Sequence, residues 1–548
     1  MISVFQKIAP HRKKIDFWGI LPWAWLILSY CITMGFLAFH GRAYIDSDTS
    51  SEIVLANLLN KEGGILSTNW GYSTELRVFY LQIFYRLTLL LFPHNWYMAH
   101  ICGLSLWMLV LLLSYLYVGH SLGLQQFGVW GAAALACPFG LWYLWYGPFG
   151  GFYIYYMVTL LLSLGLVLHL LQPSFKSKQV IRCILLSLLC FVSGLGSIKV
   201  IMAFYLPLAV GSIFTIGLQL HKSPETLPKI GIRCLGCSVM CLVFSCIGYL
   251  INIVYLATKY SFNSHNDRVW GSFDISNLIQ YWCDFLSLLG FQSTGLAFVN
   301  TSSPLFTIYG VLGALSLVLA FGVVVSIIFL IARWYNLPDK YLIVLMTFVA
   351  ICFVQGSVFA FTTGSDSPNP SYWLTPLPLL FIILQMAWET APFHFRYTHQ
   401  ILAISFMTCI ISVSISTVHT YFTSPPRAIP ELEPVADWLT ENGYANGYAS
   451  LWSCNILTEW SNGQLDMRSV NEYTLDVTES HAWQERLDHA TPPEGKVFLL
   501  VSASELWGAH KESLRNDYNV YWDENDYLVM AFDSYDEMVT ALQNAHEG

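Results

Sequence analysis

Residues 44–86 read YIDSDTSSEIVLANLLNKEGGILSTNWGYSTELRVFYLQIFYR, and their charged side chains set them apart from the apolar sequence on either side. They directly follow the first long apolar segment, Phe17–Phe39. Asp46 and Asp48 stand two residues apart, and Glu75 and Arg86 add further charges. Charged residues beside a membrane-spanning segment usually have a partner or a role. The stretch therefore predicts a functional site at a membrane surface.

The composition is that of an integral membrane protein. Of the 548 residues, 55% are hydrophobic and 11% are charged, with a mean hydropathy of +0.52. Soluble domains carry about 25% charged residues. No basic patch with interleaved aromatic residues is present, so nucleic-acid binding is not expected. The cysteines of one apolar segment, Cys234 to Cys246, are expected to pack as small apolar residues rather than to bind a metal.

Eleven apolar segments approach the length of about 20 residues that a spanning helix needs. They are Phe17–Phe39, Trp96–Val118, Phe127–Trp145, Phe152–Leu171, Ile181–Leu195, Val200–Leu220, Cys234–Ala257, Leu305–Ala332, Tyr341–Phe361, Tyr372–Trp388 and Ile401–Phe422. The sequence therefore predicts an α-helical polytopic membrane domain over residues 17–424, preceded by an N-terminal segment at residues 1–16.

Basic residues in the short loops predict the orientation, because short cytoplasmic loops are rich in Lys and Arg. These residues occur at the N-terminus and in alternate loops: Lys7, Arg12, Lys13 and Lys14, then Lys176, Lys178 and Arg182, then Lys222, Lys229 and Arg233, then Arg333 and Lys340, and then Arg396. The intervening short loops are nearly free of them. We therefore expect a cytoplasmic N-terminus and an extracytoplasmic first loop at residues 40–95.

Two helices are predicted in this first loop. Thr49-Ser50-Ser51-Glu52 has the pattern of a capping box, which predicts a helix that runs to about Asn60 and ends at Gly63-Gly64. Asp46 and Asp48 would lie in the tight connection before this helix. Its apolar residues would rest on the membrane: Ile53, Val54, Leu55, Leu58 and Leu59.

The second helix of the loop is predicted at Glu75–Phe92. A membrane span there would invert every later loop and place the basic loops outside, so we interpret the segment as an amphipathic helix in the outer interface. Glu75, Gln82 and Arg86 would share one stripe of this helix. A further interfacial helix is expected at Ile275–Leu289, in the second large outer loop.

From about Pro425 the sequence becomes polar and alternates between helix and strand patterns. Helices are predicted at Leu432–Asn442, Asn455–Ser461 and Ser534–Gln543, and strands at Gly447–Trp452, Leu465–Val470, Val497–Ser502 and Tyr527–Phe532. This pattern predicts a small extracytoplasmic α/β domain over residues 425–548.

Asp46 and Asp48 are candidates for a general base that deprotonates a hydroxyl group. Transfer of a sugar from a lipid phosphate needs one base and cations that hold the phosphate, because phosphate leaves readily. The alternative is that the aspartates are solvated loop residues, or that Asp48 caps the helix near Thr49.

Arg77, Arg86 and Lys199 are candidates to bind the donor phosphate. Lys199 follows Gly194-Leu195-Gly196-Ser197, where the chain re-enters the membrane, and a charge at that depth usually has a partner or a role. Alternatively, the two arginines reach lipid head groups and Lys199 is the positive end of a span. Candidate substrate-binding residues are Glu75, Trp70, Tyr72 and Tyr372.

The Asp46-Ser47-Asp48 spacing also suits Mg²⁺ or Mn²⁺, which prefer carboxylate oxygens. The spacing alone has little specificity, so no obligatory metal or other cofactor is expected.

The layout resembles the GT-C superfamily of polytopic glycosyltransferases. The resemblance covers IDSDTSSEIVLANLLNKEG with NWGYSTELRV in the first loop, SGLGSIKVIMAFYLPL, and YANGYASLWSCNILTEWSNGQ in the outer domain. It implies that the base is an aspartate of the first outer loop, which is Asp46 or Asp48 here. Lys199 stands where relatives often have Arg. Many relatives have Arg-Tyr near Tyr372, where this chain has Ser371-Tyr372, and that puts a phosphate-binding role there in doubt.

The resemblance implies an enzyme of a bacterial plasma membrane, in a group known from Gram-positive bacteria. It would move a sugar with inversion from a polyprenyl-phosphate donor to an extracytoplasmic acceptor, which would be a cell-surface glycan, a lipid or a protein. Membrane lipids would surround it. The competing hypotheses are a transporter or flippase of a lipid-linked substrate, which should show charge pairs at mid-membrane and inverted repeats, and an inactive scaffold of the same fold.

Overall fold

The computed structural model describes most of the chain. The described residues are 17–73, 75–76, 78–173, 175–262, 269–289, 307–363, 370–392, 398–423, 432–471, 484–502, 519–522 and 527–547. Arg77, one of the predicted phosphate-binding residues, lies outside them.

Helices form the region up to residue 423. They are α1 (Phe17–His40), α2 (Ser47–Glu62), α3 (Gln82–Leu91), α4 (Trp96–Leu122), α5 (Gln125–Leu135), α6 (Leu141–Leu144), α7 (Ile154–Leu170), α8 (Lys176–Gly196), α9 (Leu206–Lys222), α10 (Lys229–Val254), α11 (Ile275–Leu288), α12 (Ile308–Ala332), α13 (Asp339–Phe361), α14 (Leu377–Thr390) and α15 (Thr398–Thr423). Among the described residues, eight helices are long and apolar enough to cross a membrane. The chain is a multi-pass membrane protein.

Three of the eleven predicted spans are not long continuous helices, and the described residues hold eight candidate spans, or nine if a bent pair of helices counts as one. The segment Phe127–Trp145 is interrupted between α5 and α6, where Pro138 cannot donate a helical hydrogen bond. The helix Ile154–Leu170 is long enough to cross a membrane only when it is counted together with Leu141–Phe149. The axes of these two segments are bent by 79° relative to each other. In the segment Tyr372–Trp388, a 3₁₀ turn precedes α14, which has 14 residues.

The short loops cluster at the two ends of the bundle as the basic pattern predicts. At one end, the Lys340 ammonium group donates to the Ser121 carbonyl at 2.7 Å, and Gln219 donates to Asp339 at 2.8 Å. At the other end, the first loop pairs with the second outer loop through short strands β1 (Gly71–Tyr72) and β2 (Ser261–Phe262). Alternate loops therefore share an end, and the cytoplasmic position of the basic end stays a prediction.

Helix α2 begins earlier than predicted, at Ser47, with Asp46 as its N-cap. The capping box joins Asp46 and Thr49, so the predicted box at Thr49–Glu52 was wrong by one turn. The helix ends at Gly63, as predicted, in a left-handed conformation with φ of 78° that glycine adopts without strain. The helix does not rest on the membrane, because Ile53, Leu55 and Leu59 are buried inside the protein.

Residues from 432 onward contain an α/β fold, as the helix and strand patterns predict. Its elements are α16 (Glu433–Glu441), β5 (Asn446–Ser450), α17 (Leu451–Trp460), β6 (Asp466–Val470), β7 (Val497–Ser502), β8 (Asn519–Trp522), β9 (Tyr527–Phe532) and α18 (Tyr535–Glu547). Two further short strands, β3 (Val269–Trp270) and β4 (Thr362–Thr363), pair in the membrane-proximal loops. Strand β8 was not predicted.

The sheet of this outer domain has the order β6-β5-β7-β9-β8, with β6, β5 and β7 parallel. Strand β7 is continuously apolar because both of its faces are covered. Phe498 and Leu500 pack toward α16 and α17, while Leu499 and Val501 belong to the cluster that packs against α18. A strand covered on both faces needs apolar residues at every position.

A buried histidine stabilises the edge of this domain. His489 Nε2 lies 3.1 Å from an Asp466 oxygen and its Nδ1 lies 3.2 Å from a Glu485 oxygen. The same segment docks on the first loop, where the Gly71 amide donates to the Glu485 carbonyl at 2.8 Å. Burial would lower the pKa of His489, but the hydrogen bonds and charges of the two carboxylates outweigh burial and raise it. Burial would raise the pKa of Asp466, but His489 and Arg486 outweigh burial and lower this pKa to about 2.

We predict that the histidine makes the stability of the outer domain depend on pH. Because the folded-state pKa of His489 is raised, its contribution is full below about pH 6.5 and is lost as the pH rises through the raised value. Asp466 contributes above about pH 3.8 and loses its contribution as the pH falls toward 2. At pH 5, where both groups contribute fully, His489→Gln should lower the free energy of unfolding by about 1–3 kcal/mol. The measurement is thermal unfolding in detergent. The difference from wild type should shrink at pH 9, and an equal difference at both pH values would contradict the prediction.

Candidate active site at the outer end of the bundle

Asp46 is fixed at the start of α2. Its Oδ1 accepts a hydrogen bond from the Thr49 amide at 2.9 Å, and the Asp46 amide donates to the Thr49 hydroxyl at 3.0 Å. The residue is 4% exposed. Aspartate fits this position because its short side chain satisfies an otherwise unpaired amide in the first helical turn. The helix thus holds the carboxylate in one orientation.

Asp48 differs from Asp46 in its environment. It lies in the first turn of α2 and is partly exposed, while its carbonyl accepts from the Ser51 hydroxyl at 2.6 Å. Within the described part of the chain, its carboxylate has no hydrogen bond or ion pair. The suggestion that Asp48 caps the helix was therefore wrong, because Asp46 does so. The helix cap therefore fixes the Asp46 carboxylate, and no comparable contact in the described part of the chain fixes that of Asp48.

Glu75 and Lys199 form an ion pair that the sequence analysis did not predict as a pair. Lys199 Nζ lies 2.7 Å from Glu75 Oε1, and the Tyr156 hydroxyl donates to the same oxygen. Glu75 is 8% exposed, whereas the Lys199 side chain is 39% exposed. A buried carboxylate therefore pairs with a lysine whose side chain remains partly exposed.

The local fold brings these residues together. Helix α8 ends at Gly196, whose carbonyl accepts from the Leu76 amide at 3.2 Å, and the Ser197 hydroxyl accepts from the Lys199 amide at 3.2 Å. Gly194 is needed for close packing, because a Cβ there would lie 2.0 Å from the Ser245 carbonyl oxygen of α10. Helix α3 begins at Gln82 and the described residues between 75 and 81 are not helical, so the predicted start at Glu75 and the shared stripe with Gln82 and Arg86 were wrong. Contacts with the turn at 196–199 replace helical hydrogen bonds there.

A group of tyrosines surrounds Glu75 and was missed by the sequence analysis. The rings of Tyr153 and Tyr155 lie 5.6 and 5.3 Å from that of Tyr156. The Ser371 hydroxyl donates to the Tyr153 hydroxyl at 2.8 Å, which ties the turn that contains Tyr372 to this group. The motif Tyr153-Ile-Tyr-Tyr156 inside an apolar segment was an available signal, since each hydroxyl group needs a polar partner when buried.

The other predicted site residues have structural contacts. Arg86 donates to Asn60 Oδ1 at 3.0 Å and to the Gly64 carbonyl at 2.7 Å, so it joins α3 to the end of α2. Trp70 and Tyr72 are buried in an apolar cluster with residues of α2. Tyr372 packs edge-to-face on Phe359 at 4.7 Å. Of these four residues, Tyr372 is joined to the tyrosines around Glu75 through the hydrogen bond from its neighbour Ser371 to Tyr153.

No group of three or more His, Cys, Asp or Glu side chains in the described residues is arranged to hold a metal ion. The Asp46 oxygen that binds the Thr49 amide is directed at its own helix. The residues therefore do not fit a preformed Mg²⁺ or Mn²⁺ site at Asp46-Ser47-Asp48, and no chemical step here is assigned to a metal.

The outer domain completes the surroundings of α2. The Ser50 hydroxyl donates to Glu459 Oε2 at 2.7 Å, and His100 Nδ1 of α4 lies 2.9 Å from Glu459 Oε1. The Asn455 amide donates to the Ser47 hydroxyl at 3.2 Å. Helix α17 therefore contacts the same helical turn that Asp46 caps.

We predict that the role of Asp46 as a cap can be separated from its charge. Asn caps helices as well as Asp does, whereas Ala removes the cap at a cost of about 0.5–2 kcal/mol. Asp46→Asn should therefore unfold at nearly the wild-type temperature and Asp46→Ala at a lower one, measured by thermal unfolding in detergent. If both variants lost equal stability, the charge rather than the cap would be the stabilising feature.

No family model and no curated protein sequence matches the chain. Among solved structures, it is similar to ArnT from Cupriavidus metallidurans bound to undecaprenyl phosphate, with a TM-score of 0.59, 11% identity, and coverage of 94% of this chain and 98% of ArnT. It is more distantly similar to the oligosaccharyltransferase AglB from Archaeoglobus fulgidus in complex with an inhibitory peptide and a dolichol-phosphate, with a TM-score of 0.43, 11% identity, and coverage of 82% and 64%.

A second structure of the Archaeoglobus fulgidus oligosaccharyltransferase, a complex with Zn and sulfate, has a TM-score of 0.42 and 11% identity, covering 81% of this chain and 62% of that one. The similarity to ArnT extends over nearly the full length of both chains, and it confirms the expected architecture. The chain thus shares the fold of ArnT over nearly its full length.

Proposed function

We propose that the protein is a membrane glycosyltransferase that moves a sugar from a polyprenyl-phosphate donor to an acceptor at the outer membrane surface. The observation that carries the proposal is the Lys199–Glu75 ion pair, at the end of the bundle that also holds Asp46. In a fold whose solved example binds undecaprenyl phosphate, a partly exposed cation at that place is suited to a lipid phosphate.

In this proposal Asp46 is the general base. Its carboxylate takes the proton of an acceptor hydroxyl, and the hydroxyl oxygen forms a bond to the anomeric carbon of the donor sugar. The bond from that carbon to the phosphate oxygen breaks, and polyprenyl phosphate leaves with the electron pair. One displacement from the face opposite the phosphate inverts the anomeric configuration. The fixed orientation of Asp46 favours it over Asp48, because a base must be held in reach of the proton it accepts.

Lys199 binds the donor phosphate in this mechanism. Phosphate leaves without a general acid, so the protein needs to stabilise the charge that develops on it. Buried Glu75 positions the ammonium group, and the Tyr156 hydroxyl donates to the same Glu75 oxygen that Lys199 contacts.

The prenyl chain of the donor would lie in the membrane beside α3. One face of this short helix exposes apolar side chains, which are Ile83, Leu87, Leu90 and Leu91. The opposite face is buried through Tyr85 and Thr88. Such an arrangement suits a helix that lies in the interface and contacts lipid tails. The acceptor would be a glycan, a lipid or a protein on the same side, and a bacterial cell membrane is the proposed location.

We predict that Asp46→Asn abolishes sugar transfer while Asp48→Asn retains most of it. Because Asn preserves the helix cap, Asp46→Asn removes the base and keeps the fold. The measurement is transfer by purified protein from a panel of synthetic polyprenyl-phosphate sugars, with thermal unfolding and donor binding recorded alongside. Loss of transfer in Asp48→Asn alone would reassign the base to Asp48. Lipid binding without transfer from any donor by the wild type would favour a transporter.

We predict that Lys199→Met weakens binding of polyprenyl phosphate by about tenfold or more, since it removes a charge-assisted contact. Lys199→Arg keeps the charge and should retain most of the affinity. Arg86→Met serves as the matched control, because Arg86 contacts Asn60 and Gly64. Affinity is measured by titration of the purified protein with the lipid phosphate. Equal weakening in Lys199→Met and Arg86→Met would show that Lys199 has no specific role.

A further inference from the structure

We propose that Glu459 of the outer domain is a positioning residue for the reaction: by binding Ser50 and His100 it fixes the first turns of α2 and thereby the Asp46 carboxylate. This inference rests on the proposed function. It gives the outer domain a task that its sequence does not reveal.

Both oxygens of Glu459 are used, each by a different element. Oε2 accepts from Ser50 of α2 at 2.7 Å, and Oε1 lies 2.9 Å from His100 Nδ1 of α4. Ser50 is fully buried, and the side chains of Glu459 and His100 are each 1% exposed. One side chain of the outer domain therefore connects two helices of the membrane domain in a place that water does not reach.

The contact with Ser50 lies next to the Asp46 cap. The Ser50 amide donates to the Asp46 carbonyl at 2.9 Å, so the two residues are joined by one helical hydrogen bond. Asn455, one turn before Glu459 on α17, donates to the Ser47 hydroxyl, and Ser47 is the first helical residue after Asp46. Helix α17 thus binds α2 at positions 47 and 50, on either side of the Thr49 amide that holds Asp46.

Burying a carboxylate usually adds little to the net stability of a protein. Its desolvation opposes its favourable contacts, and apolar side chains of similar volume often stabilise as well or better. Apolar and aromatic contacts are available nearby, where Tyr97 of α4 stacks on Trp460 of α17 at 5.8 Å between ring centroids. Directional hydrogen bonds in such a place fix one register of α17 on α2. A shift of about 1 Å at a catalytic group can cost about 100-fold in rate.

The test compares Glu459→Ala with Glu459→Gln and a control. Glu459→Ala removes both contacts, whereas Gln can accept from Ser50 and bond with the other His100 tautomer. Leu528→Ala is the control, because Leu528 is fully buried in strand β9 in the cluster that packs against α18, on the face of the sheet opposite α17, and its truncation leaves a cavity there. Each full-length variant is measured for hydrogen exchange of α2 amides, for kcat and KM with a polyprenyl-phosphate sugar, and for unfolding temperature.

We expect Glu459→Ala to increase hydrogen exchange in residues 47–62 and to lower kcat by about 10- to 100-fold with little change in donor KM. Glu459→Gln should restore most of both, and Leu528→Ala should lower the unfolding temperature while α2 exchange and kcat stay near wild type. Unchanged exchange in α2 of Glu459→Ala would overturn the inference, and so would a kcat no lower than that of Leu528→Ala.

Failure of the proposed function gives a different result. If wild-type protein transfers no sugar, kcat is undefined for every variant, but hydrogen exchange still reports whether Glu459 holds α2. Increased exchange in Glu459→Ala would then support the structural contact and remove its catalytic purpose. Normal transfer by wild type with normal exchange in Glu459→Ala would instead reject the positioning role alone.

Discussion

The arrangement of the two domains depends on the contacts of one buried carboxylate, that of Glu459, with Ser50 and His100. Glu459 joins α17 of the outer domain to α2 and α4 of the membrane domain, and its two oxygens leave little freedom for their relative placement. Helix α2 is itself short and amphipathic only in part, and it lies between α3 and α17 rather than on lipid. Its orientation is therefore set by partners that are distant in sequence, and the Asp46 cap is set with it.

The second organising constraint is the high cost of charge near a membrane. Lys199 is tolerated where the chain re-enters the bundle because Glu75 pairs with it, and the Tyr156 hydroxyl donates to the same Glu75 oxygen. Local contacts also distinguish the two candidate bases. Asp46 is held by the cap of its own helix, and among the described residues Asp48 has no such side-chain contact, so only the first of the two aspartates is preorganised.

Local signals predicted well where the residues act through their own neighbours. Gly63 ends α2 because a left-handed turn favours glycine, and the strand patterns of the polar C-terminal region identified four of the five strands of the outer sheet. The predictions failed where distant contacts decided the result. Glu75 was predicted to begin a helix, yet the Leu76 amide bonds to the Gly196 carbonyl and the helix begins only at Gln82. Apolar residues of α2 look like a membrane-facing stripe, yet α17 and α3 cover them.

The sequence by itself determined that the protein spans a membrane many times, that alternate loops share an end, and that an α/β domain follows the last span. These follow from composition, from the spacing of basic residues and from the period of apolar residues, which are properties of neighbouring positions. Only the tertiary structure decided that Glu75 pairs with Lys199 and that Glu459 reaches Ser50. Side chains separated by 100 residues or more meet through packing, and no local pattern in the sequence records which of them will be partners.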